Sequence, residues 1–142
     1  MEVWQLLLQK GNFHFNYENW YEAEECYQQA LECLEQFWLA DMENSTLLLA
    51  WIGSFHNLAV LYEVQGKAQL AFKYLQIPHQ RMMELSRCND ISQDLQLMAL
   101  TAIKITLSPM LAFSKKHKAC AGCLKSLQQM EAEVSAQQPV LH

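Results

Sequence analysis

Residues 19–38 read NWYEAEECYQQALECLEQFW. Trp20, Ala23, Tyr27, Ala30, Leu31, Leu34 and Trp38 recur mainly at steps of three and four, the period of an α-helix. Asn19 stands before this run as an N-cap, and Glu22 occupies the position that closes a capping box. Small residues at Ala23 and Ala30 let a second helix approach closely, and the large residues between them fill the adjacent holes. The stretch predicts a long helix that buries one face against other helices.

Working outward, the same period draws about six helices. The first covers Glu2 to Tyr17, with Val3, Trp4, Leu7, Gly11 and His14 inward. After the polar break Asp41–Ser45, a third runs from Thr46 to Gln65, with Leu48, Trp51, Ile52, Phe55, Leu58, Ala59 and Tyr62 as its stripe; Gly66 suits the left-handed position that ends it. The fourth covers Lys67 to Arg87 and is expected to bend or split at Pro78. The fifth starts after Asp90, with Gln93 at the capping-box position, carries Leu95, Met98, Ala102 and Ile105 inward, and bends or stops at Pro109. The sixth spans His117 to Ala136, with Cys120, Leu124, Leu127 and Val134 inward. Short connections make neighbouring helices antiparallel hairpins. The expected fold is all-α, with one domain over residues 1–136 and a frayed tail over 137–142.

Composition agrees. Apolar residues make up 51% of the 142, and 4 Gly with 3 Pro are too few for a many-stranded β protein. Five cysteines without a framework spacing suit a reducing interior. Met1-Glu2-Val3-Trp4 lacks the basic start of a signal peptide. The most apolar stretch, Leu47 to Tyr62, carries Ser54, His56 and Asn57 and is too short for a bilayer. A cytoplasmic protein, with neither membrane nor nucleic acid as partner, is the expectation. The net charge of −5 is uneven: residues 1–45 hold nine acids against Lys10 alone, −8, and the remainder carries +3. The acidic first third disfavours phosphate backbones and could steer a basic partner.

Trp20-Tyr21-Glu22-Ala23, Tyr27 and Ala30-Leu31, preceded by Gly11-Asn12 and Phe15, resemble the two helices of a tetratricopeptide repeat. Phe55, Leu58-Ala59, Tyr62, the turn Gln65-Gly66-Lys67 and Ala71 repeat the pattern 48 residues later, longer than the family's usual 34. Departures are Leu7 for the family's Trp, Lys10 for a usual Leu, Glu18 for the turn Gly, and Pro78 for the last small residue. A third repeat is hinted at by His117, Cys120, Leu124 and Leu127. The resemblance implies stacked hairpins forming a short superhelix, in a small protein of bacterial type. It also implies a partner segment bound in the groove lined by the first helix of each hairpin. In that register Asn12 and Asn57 would grip a ligand backbone, an amide being donor and acceptor at once. Gln5, Phe15, Asn16, Gly53, His56, Val60 and Glu63 would line the same surface. A carboxylate clamp is not expected, because Leu8, Ala102 and Thr106 stand where basic residues would be needed.

Other constellations are weaker. Cys120-Ala121-Gly122-Cys123 after His117 has redox spacing, but no strand precedes it and no second close pair completes a zinc site; packing at a tight helix crossing explains it better. Cys26 and Cys33 share a helix face, and His14, His56 and His79 are scattered. Glu22, Glu24 and Glu25 fit an exposed helix N-terminus. Lys115, Lys116, Lys118 and Lys125 form a basic patch without interleaved aromatics. No catalytic residue, metal or cofactor is expected. The leading function is a protein–protein adaptor or small chaperone. The alternative is a structural protein that dimerises through its long helices, and a distant third is a thiol redox protein centred on Cys120 and Cys123.

Overall fold

The computed structural model describes residues 1–117 together with Gln129 and Ala132. Five helices are present and, among the described residues, no strand: α1 (Val3–Asn16), α2 (Trp20–Ala40), α3 (Ser45–Val64), α4 (Ala68–Arg87) and α5 (Gln93–Lys116). The expected sixth helix, the frayed tail and, apart from His117, the third-repeat positions lie outside the described residues. The chain divides into two compact units, Met1–Tyr74 and Leu75–His142. The division falls inside α4 and not in a linker.

In the first unit α1 and α3 both pack on α2. The stripe read from the sequence forms the contact surface: Ala23, Tyr27, Ala30, Leu31, Leu34 and Trp38 of α2 are buried, and so are all seven stripe residues of α3. The closest approach is at Gly11. A Cβ placed there would lie 2.5 Å from Cε1 and 2.6 Å from Cδ1 of Tyr27, so the bare glycine is what admits the ring. The Tyr27 hydroxyl then donates to Asn12 Oδ1 at 2.6 Å, which stops the ring from swinging aside. Further along, Trp38 lies against Trp51 (centroids 4.7 Å) and Trp51 against Phe55 (4.8 Å). Aromatic pairs of this kind add to the area they bury.

The two hairpin turns have one geometry. After α1, the Glu18 N–H donates to Phe15 O and the Asn19 N–H to His14 O. After α3, the Gly66 N–H donates to Glu63 O and the Lys67 N–H to Tyr62 O. Each is a Schellman motif, which satisfies two orphan carbonyls and requires a left-handed residue at the same place. Gly66 adopts φ 79° at no steric cost; Glu18 adopts φ 61° and carries the strain of a Cβ there.

Several boundaries differ from the sequence reading. Asn19 precedes α2, but its side chain makes no capping bond; its backbone is committed to the Schellman turn. α3 is capped by Asn44, which accepts from the Leu47 N–H. α5 is capped by Ser92, which accepts from the Leu95 N–H, and not by Asp90. Neither proline interrupts its helix: α4 continues through Pro78 and α5 through Pro109 to Lys116. Val3 is exposed, not inward. In α5, Ile105 is exposed and Met98 half-buried, and the buried row is Leu95, Ala99, Ala102, Ile103, Thr106, Leu107 and Met110. Alternate steps of three and four from Leu95 lead off the buried face by Ile105.

Gly11→Ala is expected to destabilise the protein by about 1–3 kcal/mol, because overpacking against a tethered ring outweighs the ~1 kcal/mol gain in helix propensity. Glu18→Gly should act oppositely, adding about 1 kcal/mol by relieving the left-handed turn. Urea denaturation followed by circular dichroism measures both.

Candidate functional site

The sequence-expected site residues all fall in the first unit and form two sets. Gly53, His56, Asn57, Val60 and Glu63 share one face of α3 through their three- and four-residue spacing. Gln5, Asn12 and Asn16 share a face of α1, with Phe15 at its margin. Each helix brings together its own set.

The α1 set is largely committed to the fold. The Gln5 side chain accepts the Glu2 N–H at 2.8 Å and so caps the helix. Asn12 is exposed, yet its Oδ1 holds Tyr27. Phe15 is half-buried and edge-on to Trp20 at 5.3 Å. Asn16 is exposed.

The α3 set is more open. A Cβ at Gly53 would meet nothing within 4 Å. Val60 is half exposed, as are Leu49 and Val64 on the same face, two residues that the sequence reading left out. His56 and Asn57 flank this row, half-buried. Burial pushes the His56 imidazole pKa below its ordinary value, and its Nε2 is buried without a partner. The face therefore offers aliphatic surface around a flat glycine and neutral polar groups at its edge.

A polar cluster that the sequence did not reveal lies where α2, α3 and α4 meet within this unit. The Tyr62 hydroxyl donates to Glu24 Oε1 at 2.8 Å. The Gln28 amide donates to the hydroxyls of Tyr62 (3.2 Å) and Tyr74 (3.0 Å). The two tyrosine rings lie 5.1 Å apart, and Lys67 Nζ stands 5.8 Å from the Tyr62 ring centroid. Burial, and then the bond to Glu24, raise the Tyr62 pKa. A phenol held protonated in this way is a structural donor and not a nucleophile. The only local signal was Glu24 and Gln28 four apart on α2; their partners are 34–46 positions away.

Chemistry elsewhere is limited. The Cys26 thiol pKa is raised, by burial first; Lys10 lowers it and Glu25 raises it. That is the opposite of an activated thiol. Cys120, Cys123, Lys118 and Lys125 lie outside the described residues, and Lys115 and Lys116 are exposed at the end of α5. Among the described residues no group of three or more His, Cys, Asp or Glu could hold a metal. By length and composition alone α3 and α5 could each cross a membrane, although the core helix of a soluble protein has the same character. In the second unit His79, 1% exposed, bonds through Nδ1 to Thr106 Oγ1 at 2.9 Å. The Thr106 hydroxyl donates to Ile103 O, so the imidazole must be the donor to it. That places the ring proton on Nδ1 and leaves Nε2 a buried acceptor without a partner. The Gln96 amide donates to Cys88 O and closes the α4–α5 connection.

The chain belongs to a family of proteins of unknown function (DUF2753), which it matches over residues 2–142. No curated protein and no solved structure matches it.

Burial lowers the pKa of both His56 and His79 from the ordinary 6.5. The unfolded chain therefore takes up these protons first as pH falls. Stability from this source is complete above about pH 6.5 and is lost on acidification below it. Denaturation midpoints at pH 7.5, 6.5 and 5.5 should fall in that order, and His79→Gln should flatten the decline.

Proposed function

We propose that this protein is a protein–protein interaction module, an adaptor or small chaperone built of tetratricopeptide-like helical hairpins. It takes a segment of a partner protein along the first helices of the first unit. The observation that carries the reading is the open face of α3. A helix that buries nine residues in the core keeps Leu49, Val60 and Val64 in solvent around a glycine with free space above it. Exposed aliphatic residues in a row on a core helix are a common mark of a docking face. Asn57 and His56 supply amide and imidazole groups beside it, suited to a ligand backbone.

The repeated turn supports the family resemblance. Two Schellman motifs at the same offset as the repeated sequence pattern fit duplicated hairpins. On the α1 side, Gln5, Asn12, Phe15 and Asn16 would form the margin of the binding surface, with Asn16 the freest of the four to reach a ligand. Glu63 would close the α3 end. We place the module in the cytoplasm, working without a metal or cofactor and without catalysis of its own.

The test is a crosslinked pull-down with three baits: native protein, Gly53→Ala and Gly53→Arg. Gly53→Ala fills no occupied space and should raise stability by about 1 kcal/mol, so it reports a folded, open face. A partner recovered by the first two baits and lost with Gly53→Arg supports this site. Recovery by all three refutes it. Recovery of the protein alone favours self-association through the long helices.

A further inference from the structure

α1 carries a second apolar row, distinct from the face just described. Val3, Leu6, Phe13 and Tyr17 are 45–67% exposed. With Lys10 between them they fall at alternating steps of three and four, the seam that one helix presents to another. Phe13 and Tyr17 form a ring pair at 4.8 Å, so the seam includes an ordered aromatic surface. It runs about 21 Å along the helix, enough for roughly four turns of a partner helix.

The charges around the seam define what fits. Glu2 and Glu18 are exposed at its two ends, and Glu22 and Glu25 are exposed on the neighbouring helix. Tyr27 of α2 packs on Gly11, the residue after Lys10, so the turn of α2 that carries Glu22 and Glu25 passes beside the seam's centre. Residues 1–45 together carry −8. A second copy fits poorly. Lys10 is the middle residue of the seam, so an in-register parallel pair and an antiparallel pair both set Lys10 against its own counterpart, and acidic flank meets acidic flank. We infer that the α1 seam docks a basic amphipathic helix of another protein, with its apolar stripe on Val3, Leu6, Phe13 and Tyr17 and its cationic flanks on the surrounding glutamates. A single acidic residue of that helix would meet Lys10, the pairing by which a polar seam position selects register. A contact of this size is small, and its affinity belongs in the micromolar range.

The probe is a labelled designed helix of about 18 residues, leucine at the seam positions, glutamate opposite Lys10 and lysine on both flanks, titrated with the full chain by fluorescence anisotropy. A control peptide keeps the leucines and carries glutamate flanks. Leu6→Asp/Phe13→Asp alters only exposed positions, and circular dichroism shows whether its fold is kept. The inference requires that the basic peptide bind in the micromolar range and weaken as salt is raised. It further requires that the acidic peptide fail, that the double variant lose at least about tenfold, and that Gly53→Arg leave binding unchanged. Equal binding by the double variant, or by the acidic peptide, overturns it. Loss with Gly53→Arg alone places the probe on α3 and overturns it too. So does a native dimer, seen by sedimentation, that the double variant converts to monomer, since the occupant is then a second copy.

Discussion

The first unit depends on one crossing: the Tyr27 ring laid on the bare backbone of Gly11, with its hydroxyl tied to the next residue, Asn12. Sterics set how near α1 and α2 can come, and the hydrogen bond sets the rotation of the ring that fills the space. The neighbouring Ala23 and Ala30 are completely buried, as a close approach demands. Once α2 is fixed in this way, its other apolar residues are aimed at α3, and the Trp38–Trp51–Phe55 run follows.

This crossing also explains why the fold could be read from the sequence more readily than the site. Small and large residues at helical spacing record packing, and they placed the core of α2 and α3 correctly. Asn12 has an engagement that spacing does not reveal, because its amide oxygen holds a tyrosine of the neighbouring helix. A side chain engaged within the hairpin and one free for a ligand have the same letter in the sequence. Leu49 and Val64, which extend the open row of Val60, carry no mark in the sequence, because α3 is apolar almost all round and no periodicity separates inside from outside. In α1 the row Val3, Leu6, Phe13 and Tyr17 interleaves with the buried Trp4 and Gly11 and the half-buried Leu7, and spacing alone does not say which row faces inward. The Glu24–Gln28–Tyr62–Tyr74 cluster joins residues too distant in sequence for any local pattern to register.

The two exposed faces differ in chemical character. That of α3 is aliphatic, flat at Gly53 and edged by neutral polar groups, which suits an extended segment whose backbone needs partners. That of α1 is aromatic and ringed by carboxylates, which suits a cationic helix. A small helical protein carrying two such surfaces on one unit could hold two ligands at once and raise the effective concentration of one at the other. Both faces are held against α2, that of α3 by the Tyr62 hydroxyl on Glu24 and that of α1 by the Tyr27 hydroxyl on Asn12.

His79 gives the second unit a property of its own. Its ring proton sits on Nδ1 because the Thr106 hydroxyl is already committed as a donor to Ile103 O. An imidazole N–H normally exchanges with water too fast to be followed. This one is enclosed, and it can exchange only when the helices around it part. Its lifetime is therefore a clock for local opening at a single, chemically distinct atom.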